Sequence, residues 1–491
     1  MGQRSMTVDL DSLGRDSSWE GVRALVTGFG VSGFAAADTL THLGATVIAV
    51  DEADDESLQE KAKLLGILGA DVRLGSGSTD LTAEGFDLVV TSPGWPPSNP
   101  VLVGAAARSI PVWGEVELAW RLRGENPVPW LAVTGTNGKT TTVQMLVAIL
   151  RADGRNAIAV GNVGTPVLEA VMNPEPFDVL AVELSSYQLH WSSSISAEAS
   201  VVLNVAPDHL DWHGDLESYT ADKARIYHNA QLACVYNVED PTTERLVEEA
   251  EVVEGCRAIG FTLGLPAPGM VGLVDDVLAD RAFVIGRISS AVELGTLADL
   301  ASPSGVPAAP HTVANALAAA ALARAHGVAP KAVRDGLRTF VPDAHRVADL
   351  GEVEGVRYVD DSKATNPHAA SASLRSFDHN VWIAGGLAKG AGFDELVEAA
   401  KDQLRAVVLI GTDREIIAEA LRRHAPDVPV VEVETGDTDL MDRVVEVAAS
   451  LAHEGDTVLL APGCASWDQF RNYSARGDAF ASAVERLRNK S

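Results

Sequence analysis

Short apolar runs alternate with amphipathic stretches along most of the chain, and glycine or polar residues follow nearly every run. Such runs predict buried strands of parallel sheets, and the stretches between them predict helices. The clearest unit is a strand predicted at residues 131–134, a glycine turn at 135–138 and a helix predicted at 139–150. Repetition of this unit predicts an α/β fold.

These units fall into three groups, which predict three domains, each with a mostly parallel sheet flanked by helices. Residues 265–310 are rich in proline, glycine, alanine and aspartate, and we assign no chemistry to them. The predicted limits are a flexible tail at 1–18 and domains at 19–122, 123–341 and 342–491.

The glycine turn of the second group has the composition of a phosphate site. Backbone N–H groups and the positive end of a helix dipole converge at such a turn. Lys139 can reach the β- and γ-phosphates of a nucleotide, and the Thr140 hydroxyl can ligate Mg²⁺. The turn is two residues shorter than the full phosphate-loop pattern, with Val133 at the expected first glycine. The alternative is an ordinary strand–helix turn with a surface lysine.

Glu183 ends the strand predicted at 178–183, and His209 follows the strand predicted at 200–205. Ligands bind beyond the carboxyl ends of strands in open parallel sheets, so both residues are expected beside the phosphate turn. Both are candidate Mg²⁺ ligands. The alternatives are a solvated carboxylate and a hydrogen-bonded structural histidine.

The first group contains a second glycine motif, G-x-G-x-x-G, formed by Gly28, Gly30 and Gly33. It lies between a strand predicted at 22–27 and a helix, and Asp51 follows the next predicted strand. This arrangement predicts a nucleotide diphosphate site in which Asp51 binds a ribose hydroxyl. NAD, FAD and UDP-sugars all remain open, as does a turn that serves packing alone.

Charge and cysteine content narrow the function classes. The chain has 38 Lys and Arg against 68 Asp and Glu, a net charge of −30, which argues against nucleic acid or an anionic membrane as the main partner. Three cysteines without a C-x-x-C pair suit a reducing compartment. No stretch has the apolar content of a signal peptide or a membrane span. We expect a cytoplasmic protein without membrane insertion.

Taken together, the motifs resemble those of the Mur ligase family over nearly the whole chain. The shared motifs are G-T-N-G-K-T-T at 135–141, Glu183, Asn204, D-H-L-D at 208–211, 311–315 and His345-Arg346. The strings at 183–188, 361–366 and 464–470 resemble the family member that adds D-glutamate. The resemblance implies a Rossmann-like N-terminal domain, a P-loop ATPase-like central domain and a Rossmann-like C-terminal domain. These would bind a UDP-substrate, ATP and an amino acid, respectively.

The resemblance implies an ATP-dependent ligase that adds D-glutamate to UDP-N-acetylmuramoyl-L-alanine through an acyl phosphate, in peptidoglycan precursor synthesis. It further implies two Mg²⁺ sites and a CO₂-derived carbamate on Lys223, a residue that the sequence alone would assign to a helix surface. We expect a monomer.

The resemblance also implies individual site residues. The nucleotide positions are Gly135, Thr136, Asn137, Gly138, Lys139, Thr140, Thr141, Asn315, Arg346 and Asp361. The catalytic positions are Lys139, Glu183, His209 and Lys223, and the Mg²⁺ ligands are Thr140, Glu183, His209 and Lys223. The UDP-substrate positions are Gly28, Gly30, Ser32, Gly33, Asp51, Ser92, Gly94, Asn162 and Gln188. The D-glutamate positions are Lys363, Thr365, Lys389, Ser466 and Tyr473.

Three other functions are weighed against this one. A ligase of the same family with a different amino acid, or one that adds glutamate to folate, fits the strings at 361–366 and 464–470 less well. A nicotinamide-dependent oxidoreductase would give no role to Lys139, Glu183 and His209. A nucleotide-binding regulator does not explain why polar residues follow the strands in two groups.

Overall fold

The computed structural model describes residues 9–80, 85–301, 308–341, 344–434 and 440–490. Within these residues the strands form three sheets of five, nine and six strands, which confirms the predicted fold class. The chain divides into two compact units. The first contains the described parts of 1–205, 217–307 and 313–340, and the second those of 206–216, 308–312 and 341–491. The predicted domain limits stay predictions.

The N-terminal sheet is parallel throughout, with the strand order β3-β2-β1-β4-β5. Its strands are β1 (Arg23–Thr27), β2 (Thr46–Asp51), β3 (Asp71–Leu74), β4 (Leu88–Thr91) and β5 (Val112–Gly114). Its helices are α1 (Val31–His42), α2 (Glu56–Leu68), α3 (Pro100–Ala107) and α4 (Glu115–Arg121). Residues 9–18 of the predicted tail include a 3-10 turn, Leu10–Ser12, in which Leu10 is buried; residues 1–8 lie outside the described residues.

The central sheet has the order β14-β13-β12-β11-β10-β9-β6-β8-β7 and is parallel from β7 to β12. Its strands are β6 (Trp130–Thr134), β7 (Ala157–Gly161), β8 (Val179–Glu183), β9 (Ala199–Val202), β10 (Ala233–Asn237), β11 (Arg257–Phe261), β12 (Met270–Val274), β13 (Val277–Asp280) and β14 (Val292–Thr296). The helices in this part of the chain are α5 (Lys139–Ala152), α6 (Val167–Met172), α7 (Ser186–His190), α8 (Leu210–His213), α9 (Leu216–Ala224), α10 (Pro241–Glu248), α11 (Pro310–Ala325) and α12 (Pro330–Thr339).

Two differences from the predicted elements concern this sheet. The strand predicted at 200–205 ends at Val202, so the residues after it belong to a loop. The region 265–310, to which no chemistry was assigned, contributes β12, β13 and β14, and β13 pairs in antiparallel fashion with both of the others. Short strands interrupted by glycine and proline carry a weak periodic signal, which explains why the pattern did not predict them.

The C-terminal sheet has the order β15-β16-β20-β17-β18-β19, with only β15 antiparallel. Its strands are β15 (Ala348–Val353), β16 (Val356–Asp360), β17 (Asn380–Gly385), β18 (Leu404–Ile410), β19 (Val430–Glu432) and β20 (Thr457–Leu460). Its helices are α13 (Pro367–Leu374), α14 (Asp394–Ala400), α15 (Arg414–His424), α16 (Leu440–Leu451) and α17 (Tyr473–Arg488).

The middle strands of the central and C-terminal sheets are buried on both faces, as continuous apolar runs require. Every residue of β6, β8, β9, β17 and β20 is buried. Rigid strands of this kind hold the loops at their carboxyl ends in fixed places. Among the described residues, no helix combines the length and the apolar content needed to cross a bilayer.

Candidate active site

The phosphate loop joins β6 to α5 at the carboxyl edge of the central sheet. Gly138 caps α5 with a left-handed backbone, φ 86°. A Cβ atom at this position would lie 2.4 Å from Oδ1 of Asn315, which is itself buried. A side chain at residue 138 would therefore meet both backbone strain and the amide of Asn315. The close approach places two of the predicted nucleotide residues together at the helix N-terminus, where an anion is stabilised.

Asn204, which no site prediction included, holds the loop in this shape. Its Oδ1 accepts a hydrogen bond from Asn137 N at 2.9 Å, and its Nδ2 donates to Asn137 O at 3.1 Å. Its own carbonyl accepts from Thr136 N at 3.0 Å. Asn204 is a family motif residue in the sequence, but its structural role depends on its position two residues beyond β9, which the overlong predicted strand concealed.

Two lysine side chains donate to a single carbonyl oxygen of the loop. Lys139 Nζ donates to Gly135 O at 2.9 Å and to Thr136 O at 3.0 Å, and Lys223 Nζ donates to the same Gly135 O at 2.9 Å. Lys223 is only 1% exposed. The prediction of a surface lysine from sequence alone was wrong, because α9 turns the face that carries Tyr219 and Lys223 toward the phosphate loop. On that face the Tyr219 hydroxyl lies 3.0 Å from Thr136 Oγ1.

Glu183 ends β8 and pairs in register with Val133 on the strand that leads into the loop. The side chain is 1% exposed, and its Oε1 accepts a hydrogen bond from Asn162 Nδ2 at 2.8 Å. Its Oε2 is buried without a hydrogen-bond partner among the described residues. A buried carboxylate oxygen without a partner is costly, and a cation would satisfy it.

The residues around Glu183 fit Mg²⁺ better than a metal held by protein alone. The described residues contain no group of three or more His, Cys, Asp or Glu side chains placed to hold a metal. Mg²⁺ usually takes one or two protein oxygens and completes its shell with water and phosphate oxygens. Glu183 Oε2 and the half-buried Thr140 in the first turn of α5 supply oxygens of that kind.

Asn162 and Gln188, predicted as UDP-substrate contacts, take part in local structure. Asn162 orients Glu183, as described above. Gln188 is buried in a capping box at the start of α7: its Oε1 accepts from Ser185 N at 2.9 Å, and Ser185 Oγ accepts from Gln188 N at 3.2 Å. Both pairs hold polar side chains in fixed orientations near the carboxyl end of β8. Their substrate contacts stay predictions.

The glycine turn of the N-terminal sheet joins β1 to α1. Gly28 has φ 82°, and a Cβ atom on Gly33 would lie 1.8 Å from Gly28 O, so the two glycines allow a close turn. Ser92 Oγ donates to Gly28 O at 2.9 Å. The Asp51 carboxylate accepts from Phe29 N at 2.6 Å. Asp51 therefore shapes the turn itself, in addition to any ribose contact.

Three further predicted UDP-substrate residues border this turn. A Cβ atom on Gly30 or Gly94 would meet nothing within 4 Å, and Ser32 lies half-buried in the first turn of α1. Space in front of a helix N-terminus suits a phosphate group. The structure thus brings seven of the nine predicted UDP-substrate residues around one turn at the carboxyl ends of β1, β2 and β4, whereas Asn162 and Gln188 lie near the end of β8.

In the second unit, three loops at the carboxyl edge of the sheet are hydrogen-bonded to one another. Gly463 N donates to Ala364 O at 2.9 Å. Leu387 N donates to Ala465 O at 2.9 Å, and Ala465 N donates back at 3.0 Å. These bonds connect the loops that follow β16, β17 and β20. They place four of the predicted D-glutamate residues at one edge: Lys363, Thr365, Lys389 and Ser466.

Each of the two predicted substrate lysines lies over an aromatic ring. Lys363 Nζ is 3.9 Å from the ring centroid of Tyr473, and Lys389 Nζ is 4.7 Å from that of Trp467. Trp467, which no site prediction included, is 66% exposed. An ammonium group above an aromatic face is attracted by the ring quadrupole, which limits the positions that it takes.

Two adjacent carboxylates, Asp360 and Asp361, lie at the carboxyl end of β16. Asp361 is buried, and burial raises its pKa to about 6, against the opposing influence of Ser373, which donates to it, and of Arg346. Burial also raises the pKa of Asp360, whose Oδ2 lies 2.6 Å from His345 Nδ1. The predicted nucleotide residues Arg346 and Asp361 are thus electrostatic neighbours.

His209 belongs to the second unit and adopts a left-handed backbone, φ 54°, at the start of α8. Its Nε2 lies 3.6 Å from Asp208 Oδ2, and Asn366 Nδ2 donates to that same oxygen at 3.3 Å. Asp208 therefore links His209 to the loop at 361–366. The role of His209 as a Mg²⁺ ligand stays a prediction.

Comparison with known proteins gives evidence that is independent of this geometry. A model of the Mur ligase middle domain matches residues 133–323, and a model of the Mur ligase glutamate ligase domain matches residues 345–464. A relative from Streptomyces avermitilis is 59% identical over 96% of this chain and 99% of its own length. A relative from Thermobifida fusca is 55% identical over 95% and 99%, respectively. Both are named "UDP-N-acetylmuramoylalanine--D-glutamate ligase".

Solved structures resemble the fold at low sequence identity. A MurF ligase from Thermotoga maritima, solved with ADP, is 18% identical, with a TM-score of 0.57 over 98% of this chain and 99% of that one. A UDP-N-acetylmuramate-alanine ligase from the same organism is 20% identical, with a TM-score of 0.55 over 96% and 100%. At this identity the likeness concerns the fold.

Proposed function

Because the chain belongs to the Mur ligase family, we propose that it is an ATP-dependent amide ligase that adds D-glutamate to UDP-N-acetylmuramoyl-L-alanine in the cytoplasmic synthesis of peptidoglycan precursors. The observation that carries the proposal is the identity of 59%, over nearly the full length of both chains, to a relative of that name. The loops at the carboxyl edges of the three sheets would supply the side chains that this reaction needs.

Amide formation from a carboxylate and an amine requires that the carboxylate be activated, because an unmodified carboxylate oxygen is a poor leaving group. Transfer of the γ-phosphoryl group of ATP to the substrate carboxylate gives an acyl phosphate and ADP, and amine attack on that carbonyl then expels inorganic phosphate. Phosphoryl transfer depends on positioning and on neutralised charge. Gly135, Gly138 and the start of α5 would hold the triphosphate, with Lys139 moving from the loop carbonyls to the phosphate oxygens. Asn315, against Gly138, would border the nucleotide.

Glu183 and Thr140 would hold one Mg²⁺ ion, which would neutralise charge on the phosphate oxygens. The unpartnered Oε2 of Glu183 supports this assignment. Asn162 keeps the carboxylate oriented by its hydrogen bond to Oε1. His209 and a modified Lys223 would hold a second ion.

Lys223 would be carbamylated by CO₂. The ammonium group first loses one proton, and the neutral amine then attacks the carbon of CO₂ and loses a second proton. The cation thereby becomes an anionic carbamate. Two features support this proposal: Lys223 is 1% exposed, and its ammonium group shares Gly135 O with that of Lys139. The buried Lys223 cation and the half-buried Lys139 cation repel each other, whereas a carbamate on Lys223 would attract Lys139.

The outer two sheets would bind the two substrates to be joined. The turn at Gly28–Gly33 with Asp51 and Ser92 suits the diphosphate and ribose of the UDP-substrate. Lys363 and Lys389 provide two cations for a dicarboxylate, with Thr365, Ser466 and Tyr473 beside them. Arg346 and Asp361 would border the nucleotide.

The test is a phosphate-release assay with UDP-N-acetylmuramoyl-L-alanine, ATP and Mg²⁺. We expect D-glutamate, and not L-glutamate or L-lysine, to support continuous phosphate release with one UDP-linked product. Absence of D-glutamate-dependent release, or equal rates with another amino acid, would refute the proposal. Light scattering tests the accompanying expectation of a monomer.

A further inference from the structure

Arg476, in the first turns of α17, is a buried guanidinium group that no motif singled out. It is 1% exposed. Its Nε donates to Ser362 Oγ at 3.0 Å, its Nη2 to Ser362 O at 2.9 Å, and its Nη1 to Cys464 O at 3.1 Å. One planar group thereby connects the loop after β16 to the loop after β20.

The acceptors of these bonds are close in sequence to the predicted D-glutamate residues. Ser362 precedes Lys363, and Cys464 lies two residues before Ser466. Ser362 Oγ also donates to Tyr473 O at 2.7 Å, and Lys363 Nζ lies over the ring of that tyrosine. The bonds of Arg476 and Ser362 therefore reach three of the segments that would contact D-glutamate.

The charge of Arg476 is not neutralised by a direct ion pair. No carboxylate of the described residues lies within 4 Å of its guanidinium nitrogens. Burial lowers its pKa to about 10, so the group remains protonated at neutral pH. An apolar side chain would fill the same space without the desolvation cost of a buried cation. An arginine at this position needs a reason beyond packing.

We propose that Arg476 is a positioning residue for the amino-acid substrate: it holds the loops of Lys363 and Ser466 at the separation that a dicarboxylate such as D-glutamate requires. The inference rests on the proposed D-glutamate ligation. Small displacements of binding groups weaken a substrate's interactions steeply. Because the two loops that Arg476 joins carry predicted D-glutamate residues, we expect the loss of its hydrogen bonds to weaken binding of D-glutamate and to spare ATP and the UDP-substrate.

The variant Arg476→Lys tests this inference. A lysine keeps the positive charge, but a single ammonium group cannot reach acceptors on both loops with the geometry of the planar fork. We expect the KM for D-glutamate to rise by about 10-fold or more, while the KM values for ATP and for the UDP-substrate stay within roughly 2-fold of the wild type. A merely structural defect would change all three KM values or the melting temperature alone.

The matched control is Arg405→Lys in the same unit. Arg405 makes two hydrogen bonds to Asp456, at 3.0 and 3.4 Å, at the amino end of β18 and so at the opposite edge of the sheet. It should keep the wild-type KM for D-glutamate. If Arg476→Lys does not fold, Ser362→Ala decides the question, because it removes one acceptor of Arg476 and the hydrogen bond to Tyr473 O.

The outcomes separate the two proposals. A wild-type protein without D-glutamate-dependent phosphate release would refute the proposed function. An active wild type, with an unchanged KM for D-glutamate in Arg476→Lys, or in Ser362→Ala where the first variant does not fold, would overturn the positioning role alone.

Discussion

The phosphate loop of the central sheet and the strand-end loops of the C-terminal sheet use different means to hold their shape. The phosphate loop depends on backbone: Gly138 adopts a left-handed conformation, and Asn204 binds the main chain of Asn137. The C-terminal loops depend on buried side chains from separate parts of the chain, above all Arg476 and Asp361.

This difference determines what each site needs in order to work. A backbone site needs glycine, free N–H groups and a cation, and Gly135, Gly138 and Lys139 supply these from consecutive turns of one segment. Asn204 and Lys223 reach this segment from elsewhere in the chain. A side-chain site needs buried charges whose cost must be offset by several hydrogen bonds at once. We therefore expect the first to be sensitive to loss of its cations, and the second to be sensitive to pH and to loss of connections at a distance.

The largest effect is expected from Lys139→Ala. This variant tests whether the backbone of the phosphate loop supports catalysis without the lysine cation. We expect kcat to fall by about 10³-fold, because charge developing on the transferred phosphoryl group loses its nearest ammonium partner. The melting temperature should change little. The control is Lys331→Ala, a substitution of an 85%-exposed lysine in the same unit, which should leave phosphate release unchanged. Substantial activity in Lys139→Ala would show that backbone groups alone suffice.

The next effect concerns Lys223, the buried cation behind the same loop. We expect Lys223→Ala to lose about 10²-fold in kcat, because the proposed carbamate and its metal ion are absent. Acetate should restore part of the rate in Lys223→Ala and should not raise that of the wild type. In ¹³C-bicarbonate the wild type should show a carbamate signal that the variant lacks. Normal rates in unsupplemented Lys223→Ala would exclude the carbamate.

The same contrast explains which features the sequence could predict. The phosphate loop and its strand and helix form one contiguous string, so its position was predicted to within a residue or two. Lys363 and Ser466 were found through family motifs. Arg476 was missed because its hydrogen bond to Ser362, 114 positions away in the chain, leaves no periodic or spacing signal. Trp467 was missed because its contact with Lys389 depends on how two separate loops approach each other. The burial of Lys223 was missed for the same reason, since it depends on how α9 packs.

A third prediction uses the pH sensitivity of the side-chain site. Asp361 has a pKa raised by burial from 3.8 to about 6, so the folded state holds a proton that the unfolded state releases between these values. Stability therefore falls as pH rises from about 4 to 6, and the full cost is present above pH 6. Asp361→Asn removes that cost. We expect a gain in unfolding free energy of about 3 kcal/mol at pH 7.5, and a smaller gain at pH 4.5.

Urea unfolding at both pH values measures this difference. Asp335→Asn, at an exposed carboxylate of the other unit, is the control for the exchange of acid for amide. A gain in Asp361→Asn that is equal at pH 4.5 and pH 7.5 would contradict the assignment of the cost to ionisation.

The smallest effect is expected at Trp467, where the side-chain site reaches solvent. Its ring lies 4.7 Å below Lys389 Nζ, but it is 66% exposed, so the interaction is weaker than a buried one. An exposed cation–π pair contributes about 0.5–1 kcal/mol, which corresponds to a roughly 2- to 5-fold rise in the KM for D-glutamate in Trp467→Leu. Trp467→Phe retains an aromatic face, so its KM for D-glutamate should lie between those of the wild type and Trp467→Leu. Equal KM values in the wild type and both variants would mean that Lys389 needs no aromatic support, and that Arg476 and the loop hydrogen bonds position this edge without it.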